Sequence, residues 1–135
     1  MINLQELSKF YDKIGYAPHE HIQDFLHQDV FENLRTNFPS NDLFADELPE
    51  KRKQNQRPHH RRLMCVYEGS DAFFDHYKVD MNRLPSIWQQ IIILLSDKKG
   101  KYQDWLKRVL KVKDFTIRFD FHRTKSGLDV SPHVD

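Results

Sequence analysis

The sequence predicts an α+β protein, with helices in its first 110 residues and β structure at its end. Three observations carry that expectation. Apolar residues recur at helical spacing in four stretches. One compact apolar run, Leu63-Met64-Cys65-Val66-Tyr67, has the length of a buried strand. Phe115, Ile117, Phe119 and Phe121 then alternate with Thr116, Arg118, Asp120 and His122, the period of a strand with one apolar face.

Taken in order, Leu4, Leu7, Phe10, Tyr11 and Ile14 predict a short amphipathic helix that Gly15 and Pro18 end. His21 to Leu26 is read as a short strand. Asp29 is placed as an N-cap with Glu32 three residues on, a capping box, and Val30, Phe31, Leu34 and Phe38 share one face. Pro39 closes that helix, because the residue before a proline is pushed out of the α region. Ser40 to Arg62 shows no period and is read as a long loop. Glu68-Gly69-Ser70-Asp71 is a turn.

Leu84, Ile87, Trp88, Ile91, Ile92 and Leu95 form an i, i+3, i+4, i+7 stripe, with Pro85 in the first turn. Gly100 separates it from a second helix bearing Tyr102, Trp105, Leu106, Val109 and Leu110. Trp88, Ile91, Ile92, Trp105, Leu106 and Leu110 are expected to share one buried cluster. Ser126-Gly127 marks a turn after the alternating strand, and Asp129 to Asp135 reads as extended.

Composition limits the function classes. The 135 residues suit one domain, and Leu, Ile, Val and Phe make up 38 of them, enough for a core. No run approaches the ~18 apolar residues of a membrane span. The 21 Lys and Arg against 20 Asp and Glu give a net charge of +1, so the chain as a whole has no bias toward nucleic acid or an anionic membrane. The one cysteine, Cys65, excludes an internal disulfide and any multi-Cys zinc site, and no secretory leader is read at the start, so a cytoplasmic setting is expected. Phosphate-cradling and nucleophile-elbow motifs do not occur, and only four glycines are present.

Lys51 to Arg62 carries six Lys or Arg and two His in twelve residues. It reads first as a solvated loop and second as the rim of a substrate cleft. Nucleic acid is disfavoured, since no aromatics interleave for stacking. Cys65 reads as a buried structural thiol.

The chain ends Ser131-Pro132-His133-Val134-Asp135. In a strand, residues two apart project from one face, so His133 and Asp135 would present an imidazole nitrogen and a carboxylate oxygen together. These are two of the three ligands of a 2-His-1-carboxylate iron site. Residues 115–135, with the alternating strand, Gly127 and Pro132-His133-Val134-Asp135, resemble the Fe(II)/2-oxoglutarate-dependent oxygenase superfamily. Phe25-Leu26 and the helix running to Phe38-Pro39 loosely resemble the helical part that precedes its barrel.

The resemblance implies a double-stranded β-helix, or jelly roll, here incomplete, with the N-terminal helices bracing its first strands. It implies Fe(II) held by His133 and Asp135, with 2-oxoglutarate as cosubstrate and oxygen as oxidant, hydroxylating an unidentified substrate. In the family a distal His and a basic anchor for 2-oxoglutarate follow the H-x-D, so residues 1–135 are expected to be the N-terminal part of one oxygenase domain, inactive alone. Among upstream histidines, His122 is the candidate to complete the ligand set, sharing a face with Arg118 and Asp120. The same face reads first as ordinary solvated residues. His19 and His21 read as surface residues. The other reading of the chain is a small α+β interaction domain whose H-x-D is accidental.

Overall fold

A computed structural model describes residues 2–3, 22–46 and 61–124. The expected first helix, most of the basic run, and the segment carrying His133 and Asp135 lie outside the described residues. The described chain is α+β, with three α-helices and a three-stranded antiparallel sheet. It forms two compact units interleaved in sequence: one holds residues up to 38 and 84–116, the other 39–83 and the residues from 117 on.

The first unit is helical. Helix α1 spans Gln28–Thr36. It starts two residues earlier than Asp29 would dictate as a cap. His27 is the N-cap and no side chain caps it, so Asp29 sits inside the first turn. Glu32 instead accepts hydrogen bonds from Gln28 Nε2 at 3.2 Å and Arg35 Nε at 2.9 Å, an exposed surface pairing. Before it, residues 22–26 form no strand: Leu26 makes a single antiparallel bridge with Ile2, and Asp24 adopts φ 56°. A residue with positive φ turns the chain and ends any ladder there.

Helix α2 spans Ser86–Ser96 and α3 spans Lys101–Leu110. Pro85 lies just outside α2 as its N-cap. Gly100 caps α3, and a Cβ on it would come within 3.0 Å of the Asp97 carbonyl oxygen, a close approach that favours glycine. Leu34, Leu84, Ile91 and Ile92 are buried here. Trp88 is half-buried, donates Nε1–H to the Asn37 carbonyl at 2.9 Å and meets Phe38 edge-on at 5.9 Å. The expected cluster is therefore smaller than the stripe suggested. Trp105 and Leu106 are half-buried, and Leu110 is 56% exposed because it lies at the last position of α3.

The second unit is built on the sheet, with β1 at Ala45–Asp46, β2 at Arg61–Tyr67 and β3 at Arg118–Thr124 in the order β1-β2-β3. The stretch expected as one loop thus contains a 3-10 turn at Asn41–Leu43, β1 and the start of β2. Register fixes the faces. Leu63, Cys65 and Tyr67 stand opposite His122, Asp120 and Arg118, and Met64 and Val66 opposite Phe121 and Phe119. Leu63, Met64, Cys65 and Val66 are all buried, so β2 is covered on both faces, as its unbroken apolar run requires.

Arg62 and Arg123 are directly opposite each other on the Met64 face. Two like charges so placed would repel. Each is drawn off by backbone carbonyls of the strap at 39–44. Arg62 donates to the Asn41 carbonyl at 3.1 Å and to that of Phe44, and Arg123 Nη2 donates to the Pro39 carbonyl at 2.6 Å. The Arg123 guanidinium also stacks 5.0 Å over the Phe44 ring.

Candidate functional site

The polar face of β3 is the part of the expected site that the described residues contain. Arg118, Asp120 and His122 are exposed, Phe119 is half-buried and Phe121 buried, so the alternation read from sequence holds. The three polar residues share their face with Leu63, Cys65 and Tyr67 of β2. Leu63, Cys65 and Tyr77 form a buried cluster, against which Ala45, Tyr67, Phe73 and Phe74 pack.

Residues 68–79 build the cover. Gly69 adopts φ 96°, which turns the chain back over the strand it has just left. The Asp71 carboxylate accepts the Phe73 and Phe74 N–H groups at 2.9 and 3.1 Å, an Asx turn that starts the 3-10 turn Asp75–Tyr77. Val79 N–H returns to the Cys65 carbonyl at 2.9 Å.

Within this frame Arg118 donates to Asp120 through three contacts of 2.8 to 3.0 Å, and its guanidinium lies 3.2 Å from the Phe74 ring centroid. The Asp120 hydrogen bonds hold the guanidinium charged, raising its already high pKa. Asp75 collects three donors: the hydroxyl of Ser70 at 2.5 Å, the hydroxyl of Tyr67, and the Asp71 N–H at 3.2 Å. Ser70 first, then Tyr67 and the Asp71 amide, hold the Asp75 carboxyl below the usual carboxylate range. Desolvation, with the Asp75 charge behind it, pushes the Tyr67 phenol up to about 12. Lys78 donates to the Gly69 carbonyl and stands 4.5 Å over the Tyr67 ring.

Cys65 faces the same side. Burial pushes its thiol up to about 11, with Asp120 adding to the rise, and Sγ lies 3.4 Å from the Phe74 carbonyl. A thiol so protonated is a packing group at neutral pH, as its apolar surroundings in sequence predicted.

The proposed ligands His133 and Asp135 lie outside the described residues, as do His19 and His21. His122 is described and lies on the polar face of β3, while its expected co-ligands His133 and Asp135 lie outside the described residues; among the described residues no group of three or more His, Cys, Asp or Glu could hold a metal ion. Asp120, the carboxylate nearest to it in sequence on that face, is spent on Arg118. The Tyr67–Ser70–Asp75 hub was missed from sequence. Its only signal is the Gly-Ser-Asp turn, which marks a reversal and gives no hint that Asp75, four residues on, gathers its donors. No family model, no curated protein and no solved structure matches the chain.

Proposed function

We propose that the chain is the metal-bearing N-terminal part of an Fe(II)- and 2-oxoglutarate-dependent dioxygenase, its sheet being the first strands of a jelly roll. One observation carries this reading: an alternating strand, β3, is followed in the sequence by Gly127 and Pro132-His133-Val134-Asp135. His133 would give a neutral imidazole nitrogen, and Asp135 an anionic oxygen from the same face of an extended segment. Bound there, iron would supply the redox centre at which 2-oxoglutarate and oxygen react. Arg118 and Asp120 would take no part in ligation, because they satisfy one another. A reducing, cytoplasmic compartment fits the single cysteine Cys65.

The test uses the protein with every residue its reading frame encodes. Succinate release from 2-oxoglutarate should depend on Fe(II), and His133→Ala and Asp135→Ala should each abolish it while leaving the fold intact. Asp135→Glu should fail too, since one added methylene displaces the oxygen well beyond the ~0.5 Å tolerance of a preorganised site. Wild-type release in both alanine variants would replace this reading with that of an interaction domain carrying an accidental H-x-D.

A further inference from the structure

The near-zero net charge conceals a segregation of charge. Residues 98–113 hold seven Lys or Arg (Lys98, Lys99, Lys101, Lys107, Arg108, Lys111, Lys113) against one acid, Asp104. The rest of the chain is left with 14 basic and 19 acidic residues. Even with the flanking Asp97 and Asp114 counted the segment stays strongly positive. Those two carboxylates are each engaged by a backbone amide, of Lys99 and of Phe115, both at 3.0 Å.

The segment is α3 with the turns at its two ends. Lys98, Lys99, Lys101, Arg108, Lys111 and Lys113 are exposed, and Lys107 is half-buried. Lys107 Nζ reaches the Lys98 carbonyl at 3.4 Å, which joins the cations of the α2–α3 turn to those of the helix. At the C-terminal end Lys111 adopts φ 56° and stops the helix. Two apolar side chains stand out among the cations there: Leu110 is 56% exposed and Val112 39%.

We infer that this cationic segment, with Leu110 and Val112 at the C-terminal end of α3, docks the protein on an anionic lipid surface. No helix among the described residues is long and apolar enough to cross a membrane. Adsorption needs only cations near the headgroups and a few apolar side chains at the acyl boundary. The residue types favour lipid over nucleic acid. Six of the seven cations are Lys, which act as point charges, and the one Arg is paired with Asp104 at 3.0 Å. Tyr102 and Trp105 stack on each other at 5.9 Å and are half-buried, so they offer no stacking platform for bases. Of a bilayer and a nucleic acid, the bilayer is the one that offers exposed Leu and Val an apolar phase to enter. This inference is independent of the iron reading.

The test is flotation of the 135-residue chain with vesicles of phosphatidylcholine, alone or mixed with phosphatidylserine. Binding is expected on the mixed vesicles only, and it should fall as salt rises. The triple variant Lys99→Gln, Lys111→Gln, Lys113→Gln should bind roughly a hundredfold more weakly, about fivefold per charge removed. Leu110→Gln with Val112→Gln should weaken binding by about tenfold with helix content unchanged by circular dichroism. The inference is overturned by failure to bind phosphatidylserine vesicles or by equal binding to neutral ones. It is also overturned if a DNA duplex binds as tightly and the Leu110/Val112 variant binds like wild type, which would assign the patch to nucleic acid.

Discussion

The helical unit and the sheet unit use the same kinds of residue to opposite effect. Among the described residues the helical unit buries four apolar side chains and the sheet unit eight. The helical unit leaves Ile93, Leu94 and Leu110 exposed and buries Gln103, whose Nε2 reaches the Leu95 carbonyl at 3.2 Å. The sheet unit fills both faces of β2 and puts its polar residues to structural use, Arg62 and Arg123 on backbone carbonyls and Tyr67 and Ser70 on Asp75. Periodicity therefore predicts where a helix forms better than what it buries. In a paired strand it predicts both, because the pleat assigns each residue to a face.

The largest expected effect tests that contrast directly. Met64 is fully buried on β2, and Met64→Ala should cost about 3 kcal/mol through lost burial and a residual cavity. Leu110→Ala, at the exposed end of α3, should stay within about 0.5 kcal/mol. Urea unfolding of the two variants measures the difference, and equal losses would break the comparison.

Next in size is the arginine pair. Arg62→Ala removes donors from the Asn41 and Phe44 carbonyls and its 3.3 Å ion pair with Asp46, and should cost about 1–2 kcal/mol. Arg62→Lys should recover little of this, since an ammonium on a single stem cannot span two carbonyls as a guanidinium fork does. Hydrogen exchange should locate the loss in residues 39–46. Full recovery with lysine would mean that charge, not the fork, holds the strap.

These effects mark how far the sequence could be read. The two tryptophan-bearing helices, the apolar strand at Leu63–Tyr67 and the inward phenylalanines of β3 follow from spacing alone, because burial periodicity is local. The Asp29 cap failed because Gln28 could already take helical dihedrals, and Glu32 found surface partners in Gln28 and Arg35. The Arg62–Arg123 pair was hidden because two arginines 61 positions apart meet only once β2 and β3 are in register. The His133 and Asp135 reading rests on spacing and resemblance, since both residues lie outside the described chain.

The smallest effect is the pH dependence that Asp75 and Tyr67 give the sheet unit. Asp75 has its folded pKa lowered by Ser70, Tyr67 and the Asp71 amide, whereas an unfolded Asp titrates near ~3.9. Between the two values the unfolded chain binds more protons, so stability rises with pH there and is lost as pH falls through the folded pKa. Tyr67 acts in the opposite direction. Its folded pKa of about 12 exceeds the ordinary value of 10.0, so its contribution is intact below about 10 and is lost as pH rises toward 12. Both side chains meet at one hydrogen bond, so one substitution should flatten both limbs. Tyr67→Phe removes the Tyr67 share of the alkaline limb, leaving that of the Cys65 thiol at about 11, and takes one of three donors from Asp75, so Ser70 and the amide hold a reduced acid limb. Asp75→Asn removes the acid limb and lowers the Tyr67 pKa toward its ordinary value. Tm measured from pH 2.5 to 11 for the wild type and both variants reads these slopes. An alkaline limb left unchanged in Tyr67→Phe would place its origin wholly in other groups and dissolve the hub as a unit.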